Sequence, residues 1–138
     1  MDATVNYEDE NSITKEACRL GIMLFLGEVR RRCGVQGVVT TVYTAKLKDL
    51  LEKSKGSMEW EPFNHLLLWL LFFGLLESQE DQEIDWYAGS ICELTGGLTD
   101  SSWMGALATV KRFLWFDNVF EMKSKRIQDI VVTKSTNI

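Results

Sequence analysis

Proline is almost missing from this chain of 138 residues, with Pro62 the only one. A ring that interrupts helices is therefore absent nearly everywhere, and long helices are allowed. Histidine is as scarce: His65 stands alone. A zinc site needs three or four nitrogen, sulfur or oxygen ligands at close quarters, and no other His or Cys lies near His65 in sequence. Cysteine is limited to Cys18, Cys33 and Cys92. An odd number at wide spacing, behind a polar and acidic start that does not read as a secretory segment, leads us to expect reduced thiols. Basic charge is in deficit, with 15 Lys and Arg against 20 Asp and Glu. An acidic surface repels phosphate backbones, so binding of nucleic acid through a basic face is not expected. The longest apolar run, Leu66 to Leu76, is eleven residues, well short of the ~20 that a membrane span requires. Alternation of apolar and polar residues, the mark of strands, is sparse after Tyr43.

What is present is helical periodicity. Ile13, Ala17, Leu20, Leu24 and Phe25 recur on one face, with Asn11 or Ser12 suited to cap the start. Arg30, Arg31 and Arg32 fall in the last turn, where cations complement the helix dipole. Gly34 stops the helix. A second, amphipathic helix is expected from Thr40 or Thr41 to about Ser54; the β-branched stretch Val35 to Tyr43 keeps a short strand there as an alternative. Pro62 suits the first turn of a third helix. From Phe63 to Leu76 nearly every residue is apolar, which places that helix at the centre of the fold. Glu77 to Glu83 reads as a charged connector. Ile84, Tyr87, Ala88, Ile91 and Leu94 mark a fourth helix closed by Gly96-Gly97. Asp100 or Ser101 is expected to cap a fifth, with Trp103, Leu107, Val110 and Leu114 on its inner face. Ile127, Ile130 and Val131 suggest a last short turn. The expected fold is all-α, with five to six helices packed around the 63–76 helix. The expected organisation is a flexible acidic lead-in at 1–10, one helical domain at 11–132 and a polar tail at 133–138.

Candidate chemistry is thin. Cys33 follows three arginines, a setting that favours a thiolate, yet no histidine lies nearby in sequence to serve as its base. The Gly96-Gly97 and Gly34 to Gly37 segments lack the lysine and hydroxyl of a phosphate loop, and a helix cap explains them. The Glu77 to Glu83 cluster lacks the ligand spacing of a calcium loop. Four of the five tryptophans read as core. Trp60 is the exception, lying in a turn between charged residues. Phe116, Val119 and Phe120 extend apolar surface past the fifth helix, with few later residues to cover them. Trp60, Phe116, Val119 and Phe120 are accordingly the expected interaction surface. No catalytic residue, cofactor or metal ligand is assigned.

Three segments carry a family resemblance: HLLLWLLFFGLLES at 65–78, DWYAGSICEL at 85–94 and LTDSSWMGALATVKRFLWFD at 98–117. Together they resemble the C-terminal part of fungal-specific transcription factor domains. The shared features are Leu67-Leu68-Trp69 with Leu71 and Gly74, then Trp86-Tyr87, Ser102-Trp103 and Phe113-Leu114-Trp115. CRLGIMLFL at 18–26 is similar to a helix of the same family. The resemblance spans about residues 11–120. It implies a non-enzymatic regulatory helical domain in the nucleus, acting through protein–protein or intramolecular packing. The implied partner is another protein, an upstream regulatory region or a second copy of the chain as a homodimer. Such regulators carry a binuclear zinc cluster that reads DNA; this chain has no six-cysteine cluster, so DNA reading by that route is not expected of it. The alternatives are a standalone helical interaction or scaffold protein and a small-molecule-binding helical domain. Metal analysis of the purified protein is expected to find no stoichiometric zinc, and a gel shift at physiological salt no preferred duplex; zinc at one equivalent or a single retarded sequence would overturn these expectations.

Overall fold

The apolar run after Pro62 sets the architecture, because a helix with no polar face must be enclosed on all sides. In the computed structural model, which describes residues 10–55 and 59–137, that run forms α3 (Asn64–Glu77). Leu68 to Glu77 is buried without interruption. Around it lie α1 (Glu10–Arg32), α2 (Thr41–Ser54), α4 (Asp81–Thr95), α5 (Asp100–Val110) and α6 (Asp117–Thr136). Each of these five touches α3. A single 3₁₀ turn, Glu61–Phe63, carries Pro62 into α3. The fold is all-α, and no strand occurs among the described residues. The 35–43 stretch is a link followed by helix, so the strand alternative is not realised.

Several boundaries differ from the sequence expectation, each for a local reason. The connector before α4 is short: Glu77 still belongs to α3 and α4 begins at Asp81. The cap of α5 is Thr99, whose hydroxyl accepts from the Ser102 amide while the Ser102 hydroxyl accepts from the Thr99 amide. This reciprocal pairing satisfies two free amides at once, which neither Asp100 nor Ser101 does. The expected short turn near 127–131 and polar tail at 133–138 are instead one 20-residue helix, α6, reaching Thr136. Its buried stripe is Phe120, Ser124, Ile127 and Val131. The small polar Ser124 interrupts the apolar period and hides the helix from a hydropathy reading. At the far end Ser135 accepts a hydrogen bond from the Leu98 amide at 2.9 Å and meets Cys92 Sγ at 3.2 Å, which fastens polar residues to the core. The expected lead-in at 1–10 lies outside the described residues except for Glu10, which is helical.

Two contacts fix how the helices approach α3. Gly74 faces the Tyr87 ring of α4, and a Cβ at Gly74 would fall within that ring. Tyr87 is fully buried and donates its hydroxyl to the Thr44 carbonyl of α2 at 2.6 Å. Burial, reinforced by the Glu83 charge, pushes its phenol well above the ordinary range. Three helices thus meet through one side chain. The second contact is ionic. Glu77, at the C-terminal end of α3, is 1% exposed at its side chain and pairs with Arg31 at 2.8 Å. Arg31 also reaches Glu28, and the Thr40 hydroxyl donates to Glu77. Hydrogen bonding to Glu77 raises the guanidinium's proton affinity further. Lys123 of α6 joins through Glu28 at 2.6 Å.

Gly74→Ala is expected to destabilise the fold by about 2–3 kcal/mol, since the Tyr87 ring cannot withdraw without losing its bond to α2. Tyr87→Phe, which keeps the ring, should cost only about 1 kcal/mol. Glu77→Gln breaks a buried pair whose arginine is partly hydrated and should cost about 2–3 kcal/mol. Urea denaturation of the three variants checks the order: a Gly74→Ala protein as stable as the parent would contradict the packing described.

Candidate interaction surfaces

The sequence-expected surface residues separate in space. Phe120 is wholly buried, so it belongs to no surface. The expectation failed because the first turn of α6 packs directly onto the core: Phe120 lies edge-on against Phe73 with centroids 4.9 Å apart and against Phe25 at 5.3 Å. Val119 is half-buried against the core, and its carbonyl accepts from Arg32 at 3.2 Å. Phe116 remains 55% exposed, with one side against Phe25. Trp60 lies elsewhere, at the entrance to α3, half-buried. Its indole N–H donates to Ser54 Oγ at 2.9 Å, and Ser54 in turn donates to the Leu51 carbonyl.

The 111–116 link between α5 and α6 builds the first surface. Trp115 points inward, edge-on to Phe72 and Phe73. Its indole N–H donates to Asp117 at 2.6 Å, and Lys111 stands over its ring at 5.5 Å. From below, the Trp69 indole donates to the Leu114 carbonyl at 3.1 Å, and its ring packs against Phe113. A backbone held from both sides turns its remaining side chains outward. Phe113, Leu114 and Phe116 are 39%, 46% and 55% exposed. Ile22, one turn before Phe25 on the same side of α1, is exposed as well. Sequence reasoning found Phe116 but placed Leu114 on the inner face of the fifth helix. That helix ends at Val110, and the Trp69 bond turns the link over.

The second surface is a cleft of about 620 Å³ between the end of α2, the start of α3 and the outer side of α4. Leu67 and Leu71 form part of its floor, Trp60 and Trp86 line it, and Glu59, Glu61 and Glu93 stand at its edge with Lys55. Sequence reasoning named Trp60 and assigned Trp86 to the core. Trp86 is in fact half-exposed beside the fully buried Tyr87. Only the fold shows that Trp60 and Trp86 share a cleft, because they lie on different elements.

His65 is exposed in the first turn of α3. Cys33 is exposed, Cys92 buried and Cys18 half-buried, with burial pushing the Cys18 thiol up. Among the described residues no group of three or more His, Cys, Asp or Glu is placed to hold a metal ion. No described helix is long and apolar enough to cross a membrane. The Arg30 to Arg32 run does more than complement a dipole: Arg31 binds Glu77 and Arg32 the Val119 carbonyl. Comparison with protein-family models, curated proteins and solved structures finds no match.

The Asp117 carboxyl is held below its ordinary value of 3.8, first by the Trp115 hydrogen bond and then by Lys111. A depressed carboxylate contributes stability above its unfolded value and loses it as pH falls through the folded one. An NMR titration is therefore expected to show the Trp115 indole proton moving together with Asp117, at a midpoint under 3.8. Asp117→Asn should abolish that titration and speed amide exchange in the 111–116 link. An unchanged Trp115 signal in the variant would show that the link is pinned by other means.

Proposed function

We propose that this chain is a non-enzymatic regulatory helical domain of the kind found in the C-terminal region of fungal transcription factors, working in the nucleus by packing against another protein. The observation that carries this reading is the 111–116 link, where an immobilised backbone presents Phe113, Leu114 and Phe116 to solvent. Exposed apolar side chains gathered on one rigid feature are characteristic of protein-binding sites. The side chains that carry the family resemblance also support it, because they meet one another. Gly74 receives Tyr87, Trp103 stacks on Phe72 at 6.2 Å, and Trp69 meets both Phe113 and the Leu114 carbonyl. A shared pattern spread over three segments thereby corresponds to one packing unit around α3.

The mechanism is recruitment or masking. A partner segment laid over Leu114 and Phe116 removes apolar area from water at about 25 cal/mol per Å², and the fixed backbone loses little entropy on binding. No step of covalent chemistry is involved. Tethering the chain to a heterologous DNA-binding domain in a reporter cell is the direct test. Reporter output is expected to change severalfold, and Leu114→Ser with Phe116→Ser is expected to remove the change. Met122→Ser, at a methionine 77% exposed on α6, serves as the control and should have no effect. Reporter output that ignores the tethered chain, or responds equally to all these substitutions, would overturn the proposal.

A further inference from the structure

The cleft between α2, α3 and α4 has the build of a ligand site, and the inference drawn from it does not rest on the regulatory reading. Its volume of about 620 Å³ lies within the ~300–1,000 Å³ typical of small-molecule sites. The floor is apolar, which suits a hydrocarbon body and leaves a bare inorganic ion without ligands. The two tryptophans present broad apolar ring faces, which suit an aromatic body. The Lys48 ammonium stands 5.7 Å from the Trp86 ring centroid, but Lys48 lies in the neighbouring groove with Glu52 and Glu83, outside the cleft lining. Trp60 is held in place from behind, its indole tied through Ser54 to the end of α2. The ring is therefore fixed before any ligand arrives, which lowers the ordering cost of binding.

The rim settles the sign of charge. Glu59, Glu61 and Glu93 supply three carboxylates against the one ammonium of Lys55. Lys55 approaches Glu93 only to 3.8 Å, with both side chains largely in water. An ion pair of that kind is weak and exchangeable, so an incoming cation can take its place. The net charge of −5 adds attraction at longer range. We propose that this cleft binds a small organic cation with an apolar body, of the aryl-alkylammonium class, with the ring against Trp60, Trp86 and Leu67 and the ammonium at the Glu59, Glu61 and Glu93 rim.

Three probes of one size and different charge test it on the full chain: 4-phenylbutylammonium, 4-phenylbutanol and 4-phenylbutanoate. Binding is followed by NMR through the tryptophan indole signals and by titration calorimetry. The rim carboxylates are expected to make the ammonium bind about tenfold more tightly than the alcohol, and the carboxylate most weakly. Shifts should centre on the Trp60 and Trp86 indoles. The triple variant Glu59→Gln, Glu61→Gln and Glu93→Gln alters exposed residues only, so its thermal midpoint should match the parent. It should lose the preference for ammonium over alcohol and keep the alcohol's affinity. Equal binding of the three probes, shifts centred on other tryptophans, or no shift at millimolar probe would overturn the assignment. A preference that survives in the triple variant would also overturn it, because the charge recognition would then lie elsewhere.

Discussion

Helix α3 has no face that can be left in water. Leu68, Leu70, Leu71, Phe72, Phe73, Leu75 and Leu76 point in every direction around its axis, and all are buried. Each such side chain contributes about 1.5–3 kcal/mol when removed from solvent, so an arrangement that exposed one side of α3 would forfeit several of these contributions together. The remaining helices are amphipathic and supply the missing walls. Their number and placement follow from that need: all five touch α3, and α1, α4 and α6 also touch one another in part. Aromatic rings fill the spaces between them, with Phe25, Phe73, Trp115 and Phe120 forming one connected cluster.

A helix that is apolar all round also has to end. At its C-terminus α3 carries Glu77 into the interior, where an isolated carboxylate would be very costly. Arg31, Thr40 and, through Glu28, Lys123 answer that charge. The cluster draws on α1, the link after it, α3 and α6. Replacing it with hydrocarbon of the same shape could leave stability unchanged. Its effect is directional, because the guanidinium of Arg31 can satisfy Glu77 and Glu28 together in only one mutual placement of α1 and α3. The same charges keep Thr40 from capping α2, since its hydroxyl is engaged by Glu77.

Both candidate surfaces are consequences of this frame. The 111–116 link is rigid because Trp69 and Trp115, required for the core, hold it from two directions. The side chains left over cannot also face inward. The cleft lies where the end of α2, the start of α3 and the outer side of α4 meet, and Trp60 and Trp86 line it from different elements. In both places an aromatic side chain fastened to the core determines what the surface presents.

The helical class, the central position of α3 and the glycine closure after α4 were legible in the sequence, because each depends on local periodicity or on one residue's conformational freedom; Gly96, at a φ of 79°, is such a case. Helix α6 was not, since Ser124 breaks the apolar stripe and only the buried slot it occupies makes a small polar residue the right size. The burial of Phe120 and the exposure of Leu114 were inverted in the linear reading, because a chain reversal after Val110 exchanges inside and outside within a few residues. Hydropathy reports how much a side chain gains from burial. Which side chains are buried is decided by neighbours far along the chain: Arg31 for Glu77, Tyr87 for Gly74, Trp69 for Leu114. Those pairings arise only when the helices have already packed around α3.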